Sequence, residues 1–216
     1  MSTSLDSANA LATLADTKLA VNLSTAADLT IDRQVRRLIN GVSHQFNAHT
    51  GRKLKKRTLT EYYDGDGTAL LILDQYPIRS NSTGISVHVI DERQTFASDT
   101  DFGSTYKVAA ADIDIREDEG QLQLRDAVFT KGRANVKVVY EAGFETTASS
   151  TNSEHLPNDL QEAFFEQVHF LWSRSSSNRI GLRSKSTATE SENYAIEALP
   201  FTVRTALDSH RDQRFA

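Results

Sequence analysis

Apolar residues repeat at helical spacing between residues 29 and 49. The stripe consists of Val35, Leu38, Ile39, Val42 and Phe46. Residues three and four apart return to the same side of a helix, so these side chains share one face. Ser24, Thr25 and Asp28 are suited to cap the first turn, and Gly51 is suited to end the last one. The pattern predicts a long amphipathic helix at about 29–49.

A second strongly apolar segment follows Pro157, a residue type that is favoured in the first turn of a helix. The predicted helix spans about 158–174, and its apolar residues cover more than one side. They are Leu160, Ala163, Phe164, Phe165, Val168, Phe170, Leu171 and Trp172. One shallow contact cannot bury all of them, so this helix is expected to be central or to lie between its own sheet and another subunit. Phe165 and Trp172 are therefore candidate subunit-interface residues.

Weaker helical patterns lie near both ends of the chain. Leu11, Leu14, Leu19 and Leu23 stand among alanines and predict an amphipathic helix from about residue 6 to residue 23. A short helix is predicted to start near Pro200, with an apolar side made of Val203, Ala206 and Leu207. A charged tail at residues 211–214 follows it.

The middle of the chain has the short, alternating pattern of β-strands. The predicted strands are Arg57–Tyr63, Thr68–Leu73, Ile85–Val89, Thr105–Val108, Ile113–Ile115, Gln121–Leu124 and Asn135–Glu141. Asp64-Gly65-Asp66-Gly67 separates the first two and is a strong hairpin signal, because glycine accepts positive φ. We therefore expect the first two strands to pair and the strands to form a predominantly antiparallel sheet.

The order of these elements predicts an α+β fold, in which the helices at 29–49 and 158–174 form a scaffold packed with a central antiparallel sheet. Residues 26–174 are expected to form the core domain, after an N-terminal helical extension at 1–25. The serine-rich, basic segment at 175–198 is predicted to be a loop. Residues 199–216 are predicted to form a C-terminal helix and tail.

Composition then narrows the function classes. The formal net charge of −5 and the pI of about 5.7 disfavour a general DNA-coating role, because the field of the whole chain repels phosphate. The absence of cysteine excludes disulfides, thiolate metal sites and cysteine nucleophiles. No apolar run approaches the roughly 18 residues that cross a bilayer, so no membrane partner is expected.

The sequence carries no motif that points to catalysis. Asp64-Gly65-Asp66-Gly67 resembles the start of a calcium-binding EF-hand loop, but the position that needs a Glu is Gln75, so a turn is favoured. His44 and His49 are about 140° apart on a helix and cannot chelate one ion. Nucleophile-elbow and phosphate-binding glycine motifs are also missing. We predict no catalytic residue, metal site or cofactor, and a small cytosolic hydrolase is the less favoured rival.

Two charged runs have opposite signs. The basic run consists of Arg52, Lys53, Lys55, Lys56 and Arg57, and the acidic run consists of Asp112, Asp114, Glu117, Asp118 and Glu119. Alternating cations can simply protect an edge strand, and an acidic run can simply be a solvated hairpin. Together they also allow a head-to-tail contact between identical subunits, in which one run meets its complement on the next copy. The basic run is therefore a further candidate for the subunit interface.

Several short motifs, in order, resemble the head-tail connector (adaptor) proteins of long-tailed bacteriophages. They are Thr50-Gly51-Arg52, Thr60-Glu61-Tyr62-Tyr63-Asp64-Gly65, Leu71-Ile72-Leu73, Tyr76-Pro77-Ile78, Val138-Val139-Tyr140-Glu141-Ala142-Gly143-Phe144, Leu156-Pro157-Asn158-Asp159-Leu160 with Ala163, and Leu199-Pro200 with Val203. Each motif alone is weak, and the resemblance rests on their order and spacing from about residue 29 to residue 174. The serine-rich segment after Trp172 departs from the usual pattern.

The resemblance implies a structural virion protein of the neck, made in the cytoplasm of the bacterial host. About twelve copies would form a ring under the portal, extend the DNA channel and offer a platform for a stopper or tail-completion protein. DNA would pass through without sequence-specific binding. The acidic run is a candidate loop facing the lumen or the tail. The alternative within virion proteins is a capsid- or tail-associated binding module.

The C-terminal segment is the candidate for docking on the portal protein. A short helix with a charged tail has little core of its own to hold it in place. The candidate docking residues are Leu199, Pro200, Val203, Leu207 and Arg211. The alternative is that this helix packs back on its own domain.

Overall fold

The computed structural model describes residues 4–79, 84–90, 102–146, 155–176, 184–186, 191–193 and 199–212. These residues belong to two compact units. A helical unit draws on Met1–Leu54 and His155–Ala216, and a β unit draws on Lys55–Glu145. The separate helices and antiparallel strands confirm the α+β class.

The helical unit is built around one long helix. Its described helices are α1 (Leu14–Ala20), α2 (Leu29–Thr50), α3 (Asn158–Ser176) and α4 (Phe201–Ser209). Helix α2 contacts the other three, and α3 also packs against α4. The helices predicted at 29–49, at 158–174 and after Pro200 are therefore confirmed.

Local chemistry sets the ends of α2, as the sequence predicts. The Asp28 carboxylate accepts hydrogen bonds from the backbone N–H groups of Thr30 (2.9 Å) and Ile31 (3.1 Å). Gly51 ends the helix with a φ of 74°, a left-handed conformation that suits glycine. The stripe between these ends faces inward, and Val35, Ile39, Val42 and Phe46 are fully buried.

The prediction of a helix from residue 6 to residue 23 is wrong in length, because α1 begins only at Leu14. The residues between Asp6 and α1 begin with a turn instead. In this turn the Asp6 carbonyl accepts hydrogen bonds from the N–H groups of Asn9 (3.1 Å) and Ala10 (2.8 Å). Thr13 then caps α1 and accepts the N–H of Asp16 at 3.1 Å. Asp and Thr compete with the helix for backbone hydrogen bonds, and here the turn and the cap prevail over the apolar spacing.

Helix α1 brings a buried ion pair to α2. The Lys18 ammonium lies 2.8 Å from the Asp32 carboxylate and donates a further hydrogen bond to the Ala26 carbonyl at 2.6 Å. Lys18 and Asp32 are both buried. The hydrogen bond from Lys18 holds the pKa of Asp32 below its ordinary value.

We expect Lys18→Met to destabilise the protein at neutral pH, because the buried Asp32 carboxylate then loses its ammonium partner. The pKa of Asp32 is lower in the folded state than in the unfolded state, where it is about 4. The ionised carboxylate therefore stabilises the folded protein above about pH 4, and this contribution is lost as the pH falls through the folded-state pKa. The stability gap between the variant and the wild type should therefore narrow below about pH 4. Urea unfolding across this pH range measures the gap, and a gap that stays constant would contradict the assignment.

Two antiparallel sheets form the β unit. The first contains β1 (Arg57–Gly65), β6 (Gly132–Ala142) and β3 (Ser86–Val89) in that order, and the second contains β2 (Leu70–Ile72), β5 (Gln121–Leu124) and β4 (Ile113–Arg116). Buried side chains from both sheets, including Val138, Tyr140 and Leu122, join one hydrophobic core. The expected single sheet is thus two small sheets that share a core.

The predicted hairpin between the first two strands is wrong, because β1 and β2 lie in different sheets. The β1–β6 register shifts between Tyr63 and Gly65, and the Gly65 N–H donates to the Asn135 side chain at 2.8 Å. The chain then turns away at Asp66, whose carboxylate accepts the Thr68 N–H at 2.8 Å. Asp64–Gly67 therefore carries the chain from one sheet to the other.

Two smaller differences from the predicted strands also occur. The strand predicted at Thr105–Val108 is wrong, since Ser104–Tyr106 forms a 3-10 turn and Lys107 makes only an isolated bridge with His88. Within the predicted loop at 175–198, strands β7 (Ser184–Ser186) and β8 (Ser191–Asn193) pair antiparallel.

Candidate functional site

The acidic run lies on the β4–β5 hairpin. Asp112 ends a 3-10 turn before β4, Asp114 is on β4, and Glu117, Asp118 and Glu119 form the turn into β5. All but Asp112 are exposed. Two backbone hydrogen bonds hold the turn to the rest of the β unit, from the Ile78 N–H to the Glu117 carbonyl and from the Leu73 N–H to the Gly120 carbonyl, each at 2.8 Å.

The carboxylates of this run are not equivalent. Asp114 makes a two-point contact with the Arg125 guanidinium at 2.9 and 2.5 Å, and this hydrogen bonding lowers the pKa of Asp114. Glu119 lies 3.4 Å from Arg116. Within the described residues, Glu117 and Asp118 have no ion-pair partner. The unpaired negative charge is therefore concentrated at these two residues, which we call the hairpin tip.

The basic run is divided between the two units and does not form a plain row of solvated cations. Arg52 belongs to the helical unit and is only 6% exposed. In the β unit, the Lys56 ammonium lies 3.5 Å from both Glu141 and Glu145, and the Arg57 Nε donates to the Lys55 carbonyl at 3.3 Å. The charge of Lys56 is thus offset within its own unit. The interface role of the run, including Lys53, stays a prediction.

The apolar candidates on α3 line a surface of the helical unit. Trp172 and Ser175 on α3 join Gln34, Arg37 and Leu38 on α2 around a shallow groove of about 270 Å³, the α2–α3 groove. Phe165 lies two turns before Trp172, so the two residues share a side of α3, and both are half-buried. The accessible position of Phe165 and Trp172 is compatible with a subunit interface, and their interface role stays a prediction.

Gly41 lies on the exposed side of α2, one turn after Arg37. A Cβ built at this position would meet no atom within 4 Å. Glycine inside a helix costs about 0.5–1 kcal/mol relative to alanine, so Gly41→Ala should raise the free energy of unfolding by about that amount. Thermal and urea unfolding measure the change. The matched control is Ala48→Gly at an exposed position of the same helix, which should lower stability similarly, and equal signs for both variants would contradict the prediction.

The candidate portal-docking residues lie in or next to α4, where most of them face their own unit. Leu199, Val203 and Leu207 are buried, Pro200 is half-buried and Arg211 is exposed. Three polar contacts also hold α4 in place: Asp208 with His49 (2.7 Å), His210 with Asp159 (2.7 Å) and Thr202 with Glu166 (2.6 Å). The largest apolar side chain that α4 offers to solvent is Phe201, which is 78% exposed and was not among the sequence candidates.

A cluster in the β unit explains two of the sequence motifs. The Glu61 carboxylate accepts hydrogen bonds from the hydroxyls of Tyr63 and Tyr140 (2.6 Å for Tyr140). These hydroxyls accept the N–H groups of Asp74 (2.9 Å) and Gln75 (3.2 Å) in the segment before the cis Tyr76–Pro77 bond. Burial, with the bonds to Glu61, raises the pKa of both tyrosines far above the ordinary value. The motifs thus fix one loop to the first sheet and have a structural role.

The second sheet leaves its outer face uncovered by the described residues. Leu70 and Ile72 on β2 are 43% and 50% exposed, although neither was among the candidate site residues from the sequence. By register, Gln123 and Asp114 extend the row that starts at Leu70, so this face changes from apolar to charged across the sheet. Period-two alternation in a three-residue strand is too short to reveal which side is solvated.

Phe102 covers part of the outer face of the first sheet, where Tyr62 is still 42% exposed. The ring of Phe102, itself buried, lies 5.6 Å from the ring of Tyr62 and 6.5 Å from that of His88, and the Lys137 ammonium lies 5.8 Å from its centre. Burial, with repulsion from Lys137 and Lys107, lowers the pKa of His88.

Other site classes find no support among the described residues. They contain no group of three or more His, Asp or Glu side chains that could hold a metal ion. No helix in the same part of the chain is long and apolar enough to cross a membrane.

The comparisons with known proteins give a structural relationship. No model of a known protein family matches the chain, and no curated protein matches it. Among solved structures, a chain in the neck of an empty gene transfer agent particle, computed with C6 symmetry, is similar with a TM-score of 0.59 and 15% identity, covering 99% of this chain and 94% of that one. A chain in the virion of a native gene transfer agent particle has a TM-score of 0.58 and 16% identity, covering 98% and 94%. The protein therefore shares its fold with structural components of such particles.

Proposed function

We propose that the protein is a structural component of the neck of a phage-like particle. About twelve copies form a ring under the portal, extend the DNA channel and support a stopper or tail-completion protein. The observation that carries the proposal is the similarity in fold, over nearly the whole chain, to a chain of the neck of a gene transfer agent particle. The role is non-catalytic, in keeping with a sequence that has no catalytic motif.

The ring form has support from the symmetry of that neighbour. The neck that contains it was computed with C6 symmetry, and a ring of twelve copies is compatible with a six-fold axis. Copies in a ring meet through heterologous contacts, so each copy needs two different surfaces that fit each other. A standard contact of this kind buries roughly 800 Å² on each partner.

The charge of the chain fits a channel through which DNA slides. Each copy contributes a formal charge of −5, so copies in a ring add up to a strongly negative assembly. Such a wall repels the phosphates of DNA and gives no sequence-specific contact. Retention on immobilised DNA should therefore be negligible at physiological salt.

Docking on the portal would use the exposed side of the C-terminal segment. The buried residues Leu199, Val203 and Leu207 anchor α4 in the helical unit, which leaves Phe201 and Arg211 for a partner. Deletion of 199–216 would remove core residues as well, so it cannot separate docking from folding. Point substitutions on the exposed side avoid this problem.

The decisive experiment mixes the purified protein with portal rings and follows assembly by sedimentation and electron microscopy. We expect rings of the protein on the portal, and Phe201→Ala with Arg211→Glu should weaken their attachment without changing the unfolding transition. Thr205→Ala on the exposed side of the same helix is the matched control. Indifference to portal together with binding to capsids or tails would instead support a capsid- or tail-associated binding module, and turnover of a substrate would support a hydrolase.

A further inference from the structure

The α2–α3 groove presents hydrogen-bond donors that the described residues leave unused. Arg37 lines the groove, and Arg33 is exposed one helical turn earlier on the same side of α2. Neither guanidinium has an ion-pair partner within the described part of the chain. The groove therefore has a positive rim.

The floor of the groove is partly apolar, because Leu38 and Trp172 line it and are half-buried. The indole N–H of Trp172 has no acceptor among the described residues. A guanidinium bonds well to a carboxylate, and an indole N–H can donate to the same kind of group. A positive rim over an aromatic floor thus suits a compact peptide turn that carries carboxylates.

The hairpin tip has the matching chemistry. Glu117 and Asp118 are adjacent and exposed, and their carboxylates have no ion-pair partner among the described residues. The hydrogen bonds from Ile78 and Leu73 already hold the turn in one shape. A turn that is ordered before binding loses little conformational entropy when it docks.

We propose that the hairpin tip of one copy docks into the α2–α3 groove of the next copy. The contact joins two different surfaces of the same chain, so it is heterologous and can repeat around a closed ring. This inference rests on the proposed function, because the ring supplies the neighbouring copy. Charge complementarity favours a second copy as the occupant, and the tip is then a subunit contact and does not face the lumen.

The inference assigns the positive half of the contact to Arg33 and Arg37. The basic run is less suited to this role, since Lys56 faces Glu141 and Glu145 in its own unit. Phe165 and Trp172 keep an interface role, because they share the side of α3 that borders the groove.

Charge reversal on each side tests the contact. The tip variant is Glu117→Lys with Asp118→Lys, and the groove variant is Arg33→Glu with Arg37→Glu. Each should weaken self-association by at least about tenfold, because like charges then face each other. The matched control, Asp126→Lys with Glu162→Lys, makes the same change in net charge as the tip variant at other exposed positions. It should assemble like the wild type.

Mixing the two variants gives a sharper result. The lysine tip of the tip variant fits the glutamate groove of the groove variant. The natural acidic tip of the groove variant likewise fits the natural arginine groove of the tip variant. Alternating copies of the two variants should therefore assemble, although neither variant assembles alone. A chain that carries all four substitutions should assemble by itself. Equal assembly of every variant, or failure of the mixture to recover, would overturn the inference. Failure of the mixture to recover assembly is also the result expected if the hairpin tip occupied the groove of its own chain.

Cross-linking gives an independent readout, because the natural chain contains no cysteine. A chain with Asp118→Cys and a chain with Ser175→Cys should form a disulfide when they are mixed and mildly oxidised, since a disulfide requires Cα atoms within about 7 Å. The pair Asp126→Cys and Ser175→Cys is the control. A cross-link that is no more efficient than the control would contradict the docking.

The two proposals fail in different ways. If the wild type assembles on portal rings but the tip and groove variants assemble equally well, the docking inference is wrong and the proposed function stands. If the cross-link and the complementation succeed but the rings ignore the portal, the contact is correct and the neck function is wrong.

Discussion

Replacing Phe46 with alanine is expected to remove a large part of the stability of the helical unit. The ring of Phe46 is fully buried, and its centre lies 5.7 Å from that of Phe164 in an edge-to-face arrangement. Deleting a buried phenyl group costs about 3–5 kcal/mol, because the lost transfer energy and the remaining cavity add together. Native domains are stable by only about 5–15 kcal/mol, so the loss is large.

The same chemical change at Phe201 is the control. Phe201 is 78% exposed, so Phe201→Ala should alter the free energy of unfolding by less than about 0.5 kcal/mol. Urea unfolding followed by far-UV circular dichroism, which is dominated by helices, measures both variants. Similar losses for Phe46→Ala and Phe201→Ala would show that α2 does not carry the core of this unit.

The Asn135→Ala variant is expected to destabilise the β unit by about 3 kcal/mol. The buried Asn135 side chain accepts the Gly65 N–H at 2.8 Å and donates to the carbonyls of Ile90 (3.1 Å) and Thr130 (2.8 Å). Alanine offers none of these groups, and each buried backbone group left without a partner costs about 1–3 kcal/mol. Ile90 retains a weak bond from the Thr130 hydroxyl at 3.4 Å, which limits the loss.

Hydrogen exchange locates this effect at one residue. The Gly65 amide should be protected in the wild type and should exchange much faster in Asn135→Ala, ahead of the amides of β6. The matched control is Gln123→Ala, an exposed amide side chain on β5, which should change stability by less than about 0.5 kcal/mol. Unchanged protection of Gly65 in Asn135→Ala would mean that the side chain does not hold this turn.

The sequence predicts α2 well because several local signals agree there. The apolar stripe, the Asp28 cap and the Gly51 ending all favour the same boundaries. At α1 the signals conflict, and the turn at Asp6 and the cap at Thr13 shorten the helix. Local hydrogen bonds thus decide where apolar spacing is ambiguous.

Contacts between residues far apart in the chain determine the features that the sequence did not predict. Asp64-Gly65-Asp66-Gly67 has the composition of a hairpin, but the Asn135 side chain, distant along the chain, binds Gly65 and separates β1 from β2. The same limit applies to the candidate site. Spacing identified the acidic run and Trp172, but only tertiary contacts show that Asp114 is paired with Arg125 and that Trp172 borders a groove with Arg37.

The tyrosine cluster around Glu61 has a practical consequence for measuring the two units separately. Tyr63 and Tyr140 keep their protons at a pH where an ordinary tyrosine, with a pKa of about 10, ionises. The protonated hydroxyls of Tyr63 and Tyr140 stabilise the folded β unit below about pH 10, and this stabilisation is lost as the pH rises further. The phenolate absorbance of these two tyrosines should therefore appear later than that of an ordinary tyrosine, together with opening of the β unit. Trp172, the only tryptophan, belongs to the helical unit. The delayed ionisation of Tyr63 and Tyr140 and the fluorescence of Trp172 therefore act as separate optical reporters of the two units in one unmodified chain.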